Sequence, residues 1–321
     1  MKKVVIYGLG KAFDNDFFLY EQLPKLREKY DVICGCDKIY KNIEKYGIDY
    51  IERGEHLNKY DKIIVTSNRY YREIRTDLIV NFGIDFKKIV SIENEWATIL
   101  GECFNAEFFI KKNGVEIGGP SDIFDTIYRK VKTCDGVNFQ SSTEWWIDSG
   151  KGYKYKDKYL GKVIIEDAVN MSSIKGEQYD FCISSNNLEH IANPLKAIQE
   201  FKRIVKKNGL ILIVVPKKES NFDHRRSVTK MEHIIDDYLN DISEEDLTHL
   251  DEIMKLHDFD MDIGVSSSEN FYDRAIKNYD NRCLHQHVFD EQLLIEIFKY
   301  MDINIIKSGA LYYNYYILGE K

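Results

Sequence analysis

Six of the eight histidines in this chain fall between residues 217 and 287. Histidine exchanges its proton near neutral pH, so a stretch rich in it is a natural source of a general base. His224 stands in Phe222-Asp223-His224-Arg225-Arg226. There an adjacent carboxylate can orient the ring, and two guanidinium groups can hold a phosphate or carboxylate. His249 follows Leu247-Thr248, His287 closes Asn281-Arg282-Cys283-Leu284-His285-Gln286-His287, and His190 stands apart after Leu188-Glu189. His190, His224, His249 and His287 are the candidate bases; the plain alternative for each is a hydrogen-bonded structural or surface side chain. His285 and His287 would share a face only on an extended segment. Histidine and carboxylate clusters bind zinc, magnesium or manganese, but no recognised ligand spacing is present and no metal is assigned.

Residues 178–216 are the stretch that must position His190. Phe181-Cys182-Ile183 is a short apolar run with the look of a buried strand. Asn193-Pro194 predicts a helix start, and Leu195, Ile198, Phe201, Ile204 and Val205 follow at helical spacing. Lys206-Lys207 suits the negative end of the helix dipole and Asn208-Gly209 a left-handed cap. Residues 210–215 are an unbroken aliphatic run, as in a strand covered on both faces. This is a crossover of a parallel sheet, and such sheets bind ligands beyond the carboxyl ends of their strands. Ser184, Ser185, Asn186 and His190 lie at one such end.

Tyr179-Asp180, Leu188-Glu189-His190, Asn193-Pro194 and Lys207-Asn208-Gly209, in that order and spacing, resemble the second half of a class I S-adenosylmethionine-dependent methyltransferase. Val115-Glu116-Ile117-Gly118-Gly119-Pro120-Ser121 resembles that family's glycine-rich motif in a variant associated with surface-polysaccharide genes, with Pro120 in place of a further glycine. The resemblance implies S-adenosyl-L-methionine as cofactor. It would be held by Glu116, Gly118, Gly119, Pro120, Ser121, Asp135, Asn138, Asp167, Ala168, Ser184, Ser185 and Asn186. Asp135, at the end of a strand expected over 131–135, would accept from the ribose hydroxyls, with Asn138 able to do the same. Asp167 and Ala168, after a strand over 163–165, would face the adenine. The FDHRR, DLTHL and NRCLHQHVFD segments resemble the same methyltransferases. The implied activity is O-methylation of a sugar or sugar-linked group in surface-polysaccharide biosynthesis.

The expected fold is α/β: two Rossmann-like domains, the second a class I methyltransferase fold with a helical insertion before its last two strands. The boundaries are 1–95, a connecting helix over 96–112 within a helical run over 95–112, and 113–321. Residues 217–287 form a helical lid, residues 153–158 a solvated loop or hairpin, and 303–310 and 312–318 the closing strands. In the first domain, strands over 3–7, 31–36, 60–66 and 88–92 alternate with helices, one carrying Phe17, Leu19, Tyr20, Leu23 and Leu26, another spanning 71–82. Gly8 and Gly10, with Asp37 ending the second strand, form a partial dinucleotide fingerprint with Phe13 where a third glycine would stand. It implies a nucleotide or nucleotide-sugar partner. Alternatives are a non-catalytic nucleotide-sugar-binding or scaffold protein, and a nicotinamide-dependent enzyme.

With 321 residues, 44% of them hydrophobic, the chain can bury substantial cores. A net charge of −8 disfavours nucleic acid as the main partner. No apolar run approaches bilayer length, and no signal-peptide core opens the chain. Six cysteines without a CxxC pair suit free thiols. A cytoplasmic protein acting on a small-molecule or glycan acceptor is expected.

Overall fold

The computed structural model describes residues 1–11, 13, 18–39, 47–143, 147, 150–262, 265, 267–311 and 313–321. The chain forms two compact units, Met1–Glu102 and Cys103–Lys321. Among the described residues no helix is long and apolar enough to cross a membrane.

In the first unit the strands are β1 (Lys3–Tyr7), β2 (Asp31–Cys36), β3 (Asp49–Tyr50), β4 (Lys62–Val65) and β5 (Ile89–Ser91). They form a parallel sheet in the order β3-β2-β1-β4-β5. Helices α1 (Leu23–Lys29), α2 (Tyr71–Phe82) and α3 (Ile92–Cys103) accompany it. Val5, Ile63, Val65, Leu78 and Ile89 share its core. Leu23 and Leu26 are buried on α1; Phe17 and the side chains of Leu19 and Tyr20 lie outside the described residues. Helix α3 stops at Cys103, short of the expected run to 112. Asn105 adopts a left-handed conformation (φ 49°), which ends a helix, and Ala106–Phe109 is a separate 3-10 turn.

The partial glycine fingerprint closes on its own loop. Asp37 Oδ2 accepts from Leu9 N at 2.6 Å and Oδ1 from Ile39 N at 2.7 Å. At Gly8 (φ +100°) a Cβ would lie 2.7 Å from Thr66 Oγ1. The carboxylate expected to meet a ribose is thus engaged by backbone amides.

The second unit begins with β6 (Asn113–Ile117), α4 (Asp125–Tyr128), β7 (Thr133–Asn138), β8 (Tyr153–Tyr155), β9 (Lys158–Gly161), β10 (Val163–Ile165) and β11 (Tyr179–Ser185). It continues through α5 (Pro194–Ile204), β12 (Val205–Pro216), α6 (Met231–Leu239), α7 (Leu250–Leu256), α8 (Ser268–Ala275), α9 (Asn278–Asn281), α10 (Glu291–Tyr300), β13 (Asn304–Ala310) and β14 (Asn314–Glu320). The main sheet runs β10-β7-β6-β11-β12-β14-β13. β10, β7, β6, β11 and β12 are parallel, and β14 runs antiparallel to both of its neighbours.

Helix α5 starts as its sequence demands. Asn193 Oδ1 accepts from Lys196 N at 3.1 Å, a cap contributing about 1 kcal/mol, with Pro194 in the first turn. Leu195, Ile198, Phe201 and Ile204 are fully buried. Its end differs from expectation. The helix passes into β12 at Val205, and residues 206–209 bulge from the strand between the pairs Tyr179–Val205 and Phe181–Leu210. Asn208 has a positive φ (61°) but serves this bulge, donating to Lys321 O, while Lys206 pairs with Asp180 at 2.7 Å.

Strand β7 begins and ends later than the expected 131–135. The Val131 amide is still bonded to Ile127 in the turn after α4, so the strand's carboxyl end falls at Asn138. Residues 153–161 are a hairpin, but not a solvated one: Tyr153 and Tyr155 are buried while Lys154 and Lys156 face solvent.

Candidate active site

The carboxyl ends of the five parallel strands meet at one edge, and a cavity of about 470 Å³ opens there. From β6 the chain goes to β7 on one side and, after β10, to β11 on the other. The cavity therefore lies at the switch in strand order where open α/β sheets take ligands. Each strand delivers residues to it: Gly118 to Ser121 after β6, Asn138 at the end of β7 and Phe139 after it, Glu166 to Ala168 after β10, Asn186 to Ile191 (all but Leu188) after β11, and Pro216 from β12. The 217–287 insertion supplies Asn221, Phe222, Glu244, Arg282 and His285.

Of the sequence-derived cofactor residues, the structure brings Gly118, Gly119, Pro120, Ser121, Asn138, Asp167, Ala168 and Asn186 to the cavity. It does not bring Glu116, Asp135, Ser184 or Ser185. Glu116 is fully buried beneath the turn, its Oε2 accepting from Tyr128 (2.5 Å) and Tyr153 (2.7 Å). Burial raises its pKa to about 7 against the pull of those hydroxyls. Asp135 lies before the strand end and is consumed by Lys162 N and Tyr179 Oη, both at 2.8 Å. Ser184 donates to Ile117 O at 3.1 Å inside the sheet, and Ser185 is buried in the same strand. Asn138, at the true carboxyl end, is buried and donates to Gly119 O at 3.4 Å. Asp167 reaches the cavity bonded to Val169 N at 3.1 Å and to Arg282 at 2.8 Å.

The glycines are required by close approach. Gly118 has φ +81°, and a Cβ there would lie 2.6 Å from the Asn187 side chain. A Cβ on Gly119 would lie 2.1 Å from the Glu116 carboxyl carbon and 2.4 Å from Tyr153 Oη.

Of the four candidate bases, His190 alone lines the cavity. His224 pairs with Asp258 at 2.8 Å, away from it. His249 and His287 gather with His233 in a separate group. His285, carried in the noted segment but not singled out, does line the cavity. Its Nδ1 is 2.5 Å from Asp223 Oδ2, and Arg226 holds the other Asp223 oxygen at 2.9 Å. The aspartate that serves a histidine is thus Asp223, but across 62 residues rather than to its neighbour His224. Burial opposes the Asp223 charge, but His285 and Arg226 outweigh it and bring the pKa to about 2. His285 is shifted the other way: burial disfavours its charge, yet Asp223 and Glu189 raise its pKa. The His190 ring packs edge-on against His285 at 4.6 Å, and burial together with the His285 charge pushes its pKa down to about 3.

Glu189, part of the Leu188-Glu189-His190 triplet, also lines the cavity. It is buried, among the described residues neither carboxylate oxygen has a hydrogen-bond partner, and burial lifts its pKa to about 7. Asn187 Oδ1 and Glu166 Oε2 are likewise buried acceptors without a donor among the described residues. Buried polar groups are normally satisfied, and these acceptors belong to residues at the cavity wall.

A family model described as a methyltransferase domain matches residues 21–262. No curated protein matches the chain. Similar solved structures include a SAM-dependent methyltransferase from Aquifex aeolicus, 13% identical, covering 68% of this chain and 91% of that one with a TM-score of 0.39. A possible histamine N-methyltransferase from Thermotoga maritima is 14% identical, covering 77% and 99% with a TM-score of 0.37. The N-methyltransferase NodS from Bradyrhizobium japonicum, in complex with S-adenosyl-L-homocysteine, is 9% identical, covering 71% and 87% with a TM-score of 0.39.

Proposed function

We propose, for a chain that belongs to the methyltransferase-domain family, transfer of a methyl group from S-adenosyl-L-methionine to a hydroxyl oxygen of a sugar or sugar-linked acceptor. The observation that carries the cofactor reading is the cavity at the switch in strand order, lined by Gly118 to Ser121, Asn138, Glu166, Asp167 and Ala168. S-adenosylmethionine offers an ammonium, an exocyclic amine, two ribose hydroxyls and a positive sulfonium, for which the carboxylates and amide of that lining are acceptors. The cavity volume of about 470 Å³ lies in the range of small-molecule sites.

When bound, the cofactor supplies a methyl group activated by sulfonium charge. Gly118 to Ser121 present backbone to it, and Asn138 stands where a ribose partner is wanted. Asp167 and Ala168 border the adenine side. His285 takes the acceptor's proton at Nε2, because Asp223 occupies Nδ1 and fixes the ring and its tautomer. Phe222, 4.7 Å from the His285 ring, walls the base against water. A hydroxyl is a weak acid, and a carboxylate-backed imidazole is the group here suited to assist its loss of a proton. The polysaccharide setting rests on the sequence resemblance around Gly118 to Ser121.

Isothermal titration with S-adenosyl-L-homocysteine tests the reading. Saturable binding that Asn138→Ala weakens is expected. Undetectable binding at millimolar ligand would overturn it. Saturable binding with methyl transfer to amines but to no hydroxyl acceptor would overturn the oxygen assignment alone.

A further inference from the structure

His233 on α6, His249 at the start of α7 and His287 in the segment before α10 converge on one point, although 54 positions separate the first from the last (287 − 233). One nitrogen of each ring lies within 4.8 Å of the others. His233 Nε2 and His249 Nε2 are 3.0 Å apart. Asp237, one turn along α6 from His233, places Oδ2 at 2.9 Å from His287 Nε2 and 3.4 Å from His233 Nε2. None of these four residues lines the cavity.

The placement of these groups suits a cation. His287 Nδ1 is 3.3 Å from Ile191 O, a carbonyl that only accepts, so Nδ1 carries the proton. Its Nε2 faces the Asp237 carboxylate at 2.9 Å. Two further imidazole nitrogens point at the same spot. A tetrahedral ion with metal–nitrogen bonds of about 2.0–2.1 Å sets its ligand atoms about 3.3–3.4 Å apart. Three of the separations, 2.9, 3.0 and 3.4 Å, lie near that spacing, and the remaining imidazole pairs lie within 4.8 Å.

We propose that His233, Asp237, His249 and His287 form a zinc site that is structural rather than catalytic. Four protein ligands close a tetrahedron and leave no open position for substrate. Three imidazoles and one carboxylate are a donor set for a divalent first-row ion, and the tetrahedral arrangement selects zinc over magnesium or manganese. The Ile191 carbonyl, on Nδ1 of His287, is the outer-shell partner such ligands usually have. The ion would tie α6, α7 and the 285–287 segment to the loop bearing Glu189, whose carbonyl also accepts from His287 N at 3.3 Å. The site does not depend on the methyl-transfer reading, and its test reads metal rather than turnover.

The full chain, stripped with a chelator and dialysed against zinc chloride, is expected to retain about one zinc per chain and to melt at a higher temperature than the stripped protein. His233→Ala with His249→Ala should cut bound zinc to about a tenth or less, while His285→Ala, in the other cluster, keeps it. Cobalt(II) substituted into the wild-type chain should give the intense visible bands of a tetrahedral site. Failure of the wild type to hold zinc, or full retention by the double variant, would overturn the proposal. Should that variant not fold, the cobalt spectrum decides: weak octahedral bands reject the site.

Discussion

Two histidine groups divide one short stretch of chain between them. His285 joins Glu189 and His190 at the cavity wall, whereas His287, two residues on, joins His233 and His249 away from it. Residues 285–287 are not part of a strand, so alternation does not keep the two rings together. The partners also differ. Around His285 an aspartate holds one nitrogen and the cavity lies beside the ring, which suits proton exchange with a ligand. Around His287 a backbone carbonyl holds one nitrogen while carboxylate and imidazoles surround the other, which suits holding an ion still. On these proposals the same residue type would work or anchor according to whether one side of the ring is left for a ligand.

The sharpest way to break this contrast is His285→Ala. Turnover should fall by about 10²–10⁴-fold while titrated S-adenosyl-L-homocysteine still binds. Turnover within a few-fold of wild type would move the base elsewhere. Next comes Gly119→Ala, whose methyl would strike Glu116 and Tyr153; thermal or urea unfolding should register a loss of about 1–3 kcal/mol. A pair of variants then separates the two candidate ribose partners. Asn138→Ala should weaken product binding by about tenfold, the worth of one good hydrogen bond. Asp135→Ala should leave binding unchanged and lower stability, since its bonds are to Lys162 N and Tyr179.

The smallest effect calibrates the others from outside both groups. Burial disfavours the Glu95 charge, but hydrogen bonds from Lys62 and Tyr30 outweigh it and hold its pKa below the usual glutamate value. A depressed carboxylate stabilises the fold above its unfolded pKa, and that contribution is lost as pH falls through the folded value. Acid titration of unfolding should show this loss below about pH 4.3, and Glu95→Gln should flatten it. A dependence unchanged by Glu95→Gln would assign it to another group.

Local signals carried well into the structure. The Asn193-Pro194 helix start, the buried face of α5 and strands such as β10 depend on neighbours a few residues apart, and these behave as read. The convergence of strand ends on one edge followed from the parallel pattern. What failed was register and reach. Asp135 and Asn138 differ by three positions, and the choice turned on a helix-end bond at Val131 that no periodicity displays. Glu116 fits a motif, but two tyrosines distant in sequence claim it. The Asp223–His285 pair spans 62 residues, so adjacency pointed instead to His224. The proposed zinc ligands have no compact spacing because three separate elements supply them. In both histidine groups the chain order says which residues are available, and tertiary packing says which meet.

The insertion has an apolar core of its own, in which Leu250, Ile253, Phe271, Ala275, Cys283 and Leu284 pack together apart from the main cluster beneath the sheet. His285 follows directly from that core, while Gly118 and Asn138 belong to the sheet edge. Wall and floor thus answer to different sets of packing constraints. Substitutions that reshape the wall can accumulate without disturbing the floor, so descendants of this architecture can change what they modify while keeping the reagent they modify it with.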